Sequence, residues 1–165
     1  MLLRLSGMAL MLSTALAACS PPAPPPDARA ASGLSGAESD PVTVRHGPHH
    51  VIVARTSIVA HGGQVAHAVR LALRFDGVHP GLRVTEAWHG GRALAFRPAA
   101  RGEKMCLGPD CLNPLIGTVI LSGDDFARAA RDGLALRLAG PDGVFDLTVP
   151  PASFAEVLGR PRRAA

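Results

Sequence analysis

Three histidines lie within five positions of the chain, at His46, His49 and His50. Clustered imidazoles could bind Zn²⁺ or Cu²⁺, because neutral imidazole is a common ligand of both ions. No carboxylate or thiolate lies at a recognised metal-ligand spacing from them, and Gly47-Pro48 is typical of a turn. We therefore predict solvated turn residues and no cofactor, with metal binding by these three histidines as the alternative.

The N-terminal segment has the layout of a secretory signal peptide. Arg4 is followed by a short apolar stretch that ends in Leu16-Ala17-Ala18-Cys19. The stretch is too short to span a bilayer, which takes about 20 apolar residues. The segment resembles the signal peptides of bacterial lipoproteins. That resemblance implies a diacylglyceryl group on Cys19, cleavage after Ala18 and acylation of the new amino terminus. An ordinary cleaved signal, with Cys19 as a chance neighbour, is the alternative.

The same resemblance predicts where the protein is located and that a lipid bilayer is one of its partners. Several acyl chains on Cys19 would anchor the protein in a lipid bilayer, since each buried methylene contributes about 0.8 kcal/mol. In Gram-negative lipoproteins an aspartate after the lipidated cysteine favours the inner membrane, and here that position is Ser20. We therefore expect a lipid-anchored protein of the bacterial envelope, in the outer membrane and facing the periplasm.

Two cysteines remain once Cys19 is assigned to lipid. Cys106 and Cys111 are five positions apart with Gly108-Pro109 between them, which lets the chain reverse. An oxidising compartment favours a disulfide bond between such a pair. We predict this bond and expect it to hold one loop in shape.

An enzyme of the cell wall is the competing class of protein. L,D-transpeptidases have a His-Gly upstream of a Ser-x-Gly-Cys-x-Asn nucleophile motif. This chain is similar in having His61-Gly62, His89-Gly90 and the run Cys111-Leu112-Asn113. It departs from the motif at Pro109 and Asp110, and the charge of Asp110 would raise the pKa of the thiol. We therefore assign no catalytic residue.

Other chemistries lack their signatures. The chain has a net charge of +4, which does not suggest nucleic acid, whose binders cluster basic residues on one face. There is no serine-hydrolase elbow and no phosphate-binding glycine loop. Trp88, the only tryptophan, is predicted to lie in the core. The strand arginines (Arg55, Arg70, Arg74 and Arg83) are predicted to point outward, where they could contact anionic lipid, acidic polymers or water.

Composition and periodicity divide the chain into four parts. We assign 1–18 to the signal peptide, 19–40 to the lipidated cysteine and a Pro/Ala/Ser-rich linker, 41–160 to one β-rich domain and 161–165 to a basic tail. Val69, Leu71, Leu73 and Phe75 alternate with polar or small residues, as in a half-buried strand. Glycine pairs separate several such runs, as in tight hairpins.

The fold class predicted for residues 41–160 is all-β. We expect an antiparallel sandwich or a barrel-like sheet of about 7–8 short strands. Ser122-Gly-Asp-Asp125 is typical of a capping box that opens a short helix, which ends at Gly133. A short C-terminal helix from Ala152 to Leu158 should pack through Phe154, Val157 and Leu158. The most consistent function is a non-catalytic binding or assembly module that contacts an envelope protein.

Replacing Cys19 with Ala is expected to abolish the incorporation of labelled palmitate and to release the protein from the membrane fraction, because no sulfur remains to be acylated. Cys106→Ala is the control and should keep both properties. Full labelling of the Cys19→Ala variant would contradict the assignment of Cys19 to lipid.

Overall fold

The computed structural model of the protein describes residues 35–48, 50–75, 82–107 and 110–160. Within these ranges the chain forms ten strands and two helices. The strands are β1 (Ser35–Glu38), β2 (Val42–His46), β3 (His50–His61), β4 (Gln64–Phe75), β5 (Glu86–His89), β6 (Arg92–Pro98), β7 (Lys104–Leu107), β8 (Asp110–Leu121), β9 (Leu134–Gly140) and β10 (Gly143–Val149). The helices are α1 (Gly123–Asp132) and α2 (Pro151–Gly159).

All the strand pairs recorded are antiparallel, and they follow the order β1-β3-β4-β8-β6-β5-β9-β10. β1 and β2 pair with different halves of β3, so they lie end to end along one edge of that strand. β6 and β7 share an edge of β8 in the same way. The result is one sheet that curls into a half-barrel, which confirms the predicted all-β antiparallel class and its two short helices.

The inner face of the sheet is apolar because each long strand presents alternate residues to it. Val69, Leu71 and Leu73 of β4 are fully buried in one cluster, as the alternation predicts. Leu134, Leu136 and Leu138 of β9 join the same cluster from the other side of the half-barrel. The cluster also includes residues of both helices, so the described part of the domain has one main core.

Local sequence signals determine both helices. The Ser122 hydroxyl accepts a hydrogen bond from the Asp125 backbone N–H at 3.1 Å, which caps the start of α1. Gly133 ends α1 with a φ of 78°, a conformation that favours glycine. Pro151 opens α2, where its missing N–H is not needed. Both boundaries agree with the prediction to within one residue.

A buried polar cluster fixes α2 to the sheet. The Thr56 hydroxyl donates to the Ser153 carbonyl at 2.7 Å, and the Thr56 backbone N–H donates to the Ser39 hydroxyl at 3.0 Å. All three residues are buried, so water could not replace these hydrogen bonds if they were broken. The polar groups would then be left without a partner, which is costly. The cluster therefore specifies where α2 and the β1–β2 corner meet β3.

The described structure corrects the predicted boundaries at three places. Residues 35–38 of the predicted linker form β1, because Gly36 allows close approach to the Ile58 carbonyl and Ala37 reaches the core. The apolar pattern of residues 82–88 predicts one strand, but β5 begins only at Glu86. Leu158 is 51% exposed and does not pack with Phe154 and Val157. Asp76-Gly77, a pair of residues typical of a turn, and the predicted tail at 161–165 lie outside the described residues.

Gly140 on β9 is a position where even a methyl group would be too large. A Cβ there would clash with the Arg83 carbonyl and lie 2.9 Å from the Val84 Cα, and both are backbone atoms. We expect Gly140→Ala to lower the free energy of unfolding by about 1–3 kcal/mol, the usual effect of overpacking. Thermal denaturation measures this change.

Gly123→Ala is the matched control for Gly140→Ala. The nearest atom to a Cβ at position 123 is a side-chain carbon of His67 at 3.5 Å, an ordinary van der Waals distance. Position 123 is in the first turn of α1, so this variant should be neutral or slightly stabilising. Equal midpoints for the two variants would contradict the close packing of β9 against residues 83–84.

Candidate functional site

Trp88 lies on the outer face of the sheet. Its neighbour Ala87 is 1% exposed and belongs to the core, so Trp88 points the opposite way. The cross-strand partner of Trp88 on β9 is Arg137, which is also outward. The prediction that Trp88 lies in the core is therefore wrong. β5 has only four residues, too few for the sequence alone to show which of its side chains face the core. Its pairing with β9 shows this.

Trp88 borders a concave surface of about 620 Å³, which we call the Trp88 depression. Its lining includes Gly90, Ala135, Arg137 and Asp146. Ala135 has a short outward side chain and forms the floor of this concave surface. The longer side chains of Trp88 and Arg137 form part of its rim. The volume is in the range of sites for small ligands.

The polar groups of the Trp88 depression are paired with one another. The Trp88 indole Nε1–H donates to Glu86 Oε2 at 3.1 Å. Arg137 and Asp146 form a two-point ion pair, with Nε donating to Oδ1 at 2.8 Å and a terminal nitrogen donating to Oδ2 at 3.2 Å. These hydrogen bonds hold the pKa of Asp146 below its usual value, and the charges of Arg137 and Arg45 act in the same direction.

A smaller cavity of about 240 Å³ adjoins the Trp88 depression and shares Ala135 and Thr148 with it. His89 lines this cavity, and its Nδ1 lies 2.7 Å from the Ala135 carbonyl. Asp125 also lines it and accepts hydrogen bonds from the Ser122 hydroxyl and Arg92, which lower its pKa. The contacts of Asp125 are therefore those of a helix cap.

Two of the three candidate metal ligands lie on one hairpin. His46 ends β2 and His50 begins β3, and both border a cavity of about 410 Å³. His49 lies outside the described residues. Among the residues that the structure describes, no group of three or more His, Cys, Asp or Glu side chains could hold a metal ion. A third ligand for His46 and His50 is therefore missing from this part of the chain.

Cys106 and Cys111 lie on the paired strands β7 and β8. Met105, next to Cys106, is fully buried against Val53, Ala72 and Leu115 on the outer face of the sheet. This small second core holds β7 against the half-barrel. The Cys111 side chain and the whole of Cys19 lie outside the described part of the structure, so the disulfide bond and the lipidation stay predictions.

The histidines of the transpeptidase-like pattern lie far from Cys111. β8 runs ten residues from Cys111 to Leu121, about 33 Å at 3.3 Å per residue. His67 pairs with Leu121, and the β3–β4 turn with His61 lies beyond that end. His89 pairs with Arg92, which contacts Asp125 of α1 beyond the same end. The strand geometry therefore separates the two parts of the pattern.

Sequence reasoning missed one cluster of charges. Arg55 and Arg70 are directly opposite each other on β3 and β4, as their outward prediction allows, and Arg97 of β6 lies in the same row. The position of Arg97 depends on β6 pairing with β8, which no local pattern indicates. Of the other predicted outward arginines, Arg74 is exposed and Arg83 pairs with Asp142.

Comparison with protein-family models, with curated proteins and with solved structures finds no match to this chain. Of the two helices in the described residues, neither has the length and apolar character needed to cross a membrane. The geometry of the described surfaces is therefore the basis for assigning a function.

The exposure of Trp88 can be measured directly. The chain has one tryptophan and no tyrosine, so its emission reports on Trp88 alone. We expect acrylamide to quench the native emission to an appreciable fraction of the quenching seen in the unfolded chain, because the indole contacts water. A second variant with Trp88→Phe and Phe154→Trp moves the indole into the core and should resist quenching. Equal resistance of the native protein would contradict the outward position.

Proposed function

We propose that the protein is a lipoprotein of the bacterial envelope, anchored through acylated Cys19, and that its folded domain is a non-catalytic binding module. The leader that ends in Leu16-Ala17-Ala18-Cys19 supports the anchor, and Ser20 supports delivery to the outer membrane with the domain facing the periplasm. The proline-rich residues that follow would act as a spacer between the membrane and the domain.

The observation that carries the binding role is the position of Trp88. Burying a large apolar side chain stabilises a domain by about 1.5–3 kcal/mol. This chain has a single tryptophan and leaves it on the rim of the Trp88 depression. Tryptophan is among the residues most enriched at the energetic centres of interfaces. Trp88 is half-buried, so a partner that covers the rest of the indole would recover the part of this free energy that its exposed surface leaves unrealised.

The absence of catalysis is proposed from the contacts of the charged groups. Around the Trp88 depression, the carboxylate of Glu86 accepts from the indole and that of Asp146 accepts from Arg137, while the carboxylate of Asp125 in the adjoining cavity accepts from Ser122 and Arg92. A general base needs a lone pair directed at a substrate proton. Within the described residues of this surface, each of these carboxylates already has a structural partner.

We also propose the Cys106–Cys111 disulfide bond as a constraint on the β7–β8 loop. The pairing of β7 with β8 and the burial of Met105 support it, because they bring the two strands together at the loop. A bond across so short a loop would add little stability and would mainly restrict the shape of the loop. Such a loop could present a second contact surface.

A photo-crosslinking residue at Ala135, on the floor of the Trp88 depression, tests the binding role in intact cells with the anchor preserved. We expect a discrete crosslinked product that is lost when Trp88→Ala is added, because the aromatic contact is removed. The same crosslinker at Ala155, an exposed position of α2, is the control and should give no such product. Circular dichroism of each variant checks the fold.

Two outcomes of the crosslinking experiment would contradict the proposed role. One is a set of products that is the same at positions 135 and 155. The other is a product at position 135 that survives Trp88→Ala in a folded protein. Either result would mean that the Trp88 depression does not select a partner.

A further inference from the structure

A row of arginines crosses the outer face of the half-barrel. Arg55 on β3 is the cross-strand partner of Arg70 on β4, Arg70 is the partner of Thr118 on β8, and Thr118 is the partner of Arg97 on β6. The side chains of Arg55 and Arg70 are 19% and 29% exposed. Like charges at directly opposed positions destabilise a sheet unless anions compensate them.

The positive charges of Arg55 and Arg70 are only partly compensated by a carboxylate. Glu38 of β1 approaches both, but each nitrogen–oxygen distance is 3.6 Å. Charge-assisted hydrogen bonds are about 2.7–2.9 Å long. Among the described residues, neither Arg55 nor Arg70 donates a recorded hydrogen bond from its guanidinium group, and Arg55 Nε is buried without an acceptor. The positive charge of this arginine pair is therefore incompletely balanced by the protein.

The charge of Arg97, at the β6 end of the row, is fully compensated. Arg97 donates to both oxygens of Glu103, at 2.8 and 3.2 Å. This pairing lowers the pKa of Glu103, to which the charge of Arg70 also contributes. The row therefore has three guanidinium groups and two carboxylates, with one positive charge in surplus on the side of Arg55 and Arg70.

A groove of about 320 Å³ lies beside this surplus charge, and we call it the arginine groove. Gly36, Ser57 and Ala68 are among its lining residues and have little or no side chain, whereas Arg70 and Arg97 are long and stand beside them. The groove is large enough for a phosphate or carboxylate group with a few attached atoms. Arg70 and Arg97 line the groove together with Glu38, and Arg55 is the cross-strand neighbour of Arg70 outside this lining.

We propose that the arginine groove is a binding site for an oxyanion group, either the phosphate or the carboxylate of a ligand. The planar guanidinium group matches the geometry of both anions and can donate two parallel hydrogen bonds to either. The bound oxyanion would accept from Arg70, which lines the groove and approaches Glu38 only to 3.6 Å, and the charge of the neighbouring Arg55 would add to the attraction. The site does not share residues with the Trp88 depression, so either proposal can fail without the other.

The test uses the full mature protein in a non-ionic detergent, labelled with ¹⁵N and titrated with inorganic phosphate or sodium acetate. Chloride is adjusted to keep the ionic strength constant, because surface attraction is screened by salt. We expect the Nε–H signal of Arg70 to shift in a saturable way with at least one of the two anions. A phosphate lipid headgroup is distinguished from a free anion by adding phosphatidylglycerol to the micelles, with phosphatidylcholine as the control.

Three substitutions separate binding from general charge effects. Arg70→Gln should weaken the affinity about tenfold, the factor expected for one charge-assisted hydrogen bond. Glu38→Gln should strengthen it several-fold, because it removes the competing carboxylate, and damage to the fold would not produce tighter binding. Arg128→Gln, an exposed arginine of α1, should leave the affinity unchanged.

The proposal is overturned if neither anion gives saturable shifts, or if Arg128→Gln weakens binding as much as Arg70→Gln. It is also overturned if Glu38→Gln weakens binding in a folded protein. That last result would assign Arg55, Arg70 and Glu38 a purely structural role in holding β1 against β3.

Discussion

The contact between Phe126 of α1 and Phe154 of α2 closes one end of the half-barrel. The two rings are fully buried, and they meet edge to face with centroids 5.0 Å apart. The His67 ring of β4 also packs against Phe126, with the two ring centroids 5.2 Å apart. A curled sheet exposes its inner apolar face at its ends, so the strands depend on these helices to exclude water. The capping of α1 and the Thr56–Ser153 hydrogen bond matter because they fix the position of this contact.

The side of the half-barrel is closed by side chains. β2 and β10 are at opposite ends of the strand order, and no ladder joins them in the described residues. Arg45 of β2 spans the gap, with its guanidinium donating to the Asp146 carbonyl at 2.7 Å and lying 5.7 Å from the centre of the Phe145 ring. The Asp146 carboxylate then binds Arg137 on the outer face. The closure of the sheet and the Trp88 depression therefore share Asp146.

Local patterns predicted the parts of the fold that local physics controls. The alternation in β4, the glycine turns at 62–63 and 90–91, and the Ser122 cap each depend on neighbours within a few residues. β1 was missed because Ser35 and Gly36 have little strand preference alone and are held by pairing with β3. The inward face of β5 and the row from Arg55 to Arg97 depend on strand order, which periodicity does not encode. Both candidate surfaces could therefore be recognised only in the tertiary structure.

The filling of the interior explains why both surfaces lie outside. Apolar side chains from the strands and both helices form one packed cluster inside the half-barrel. Small barrels of this kind have room for side chains and little else. On the outer face, short residues such as Gly36, Ala68 and Ala135 stand beside long ones such as Arg70, Trp88 and Arg137, and this contrast in length produces concave sites without opening the core. The two sites differ in charge, because Arg137 and Asp146 of the Trp88 depression form a close ion pair, whereas Arg70 of the arginine groove is only partly compensated by Glu38. The packed interior stabilises the sheet, so residues on its outer face can change with little effect on the fold. Such changes would alter what the outer face binds.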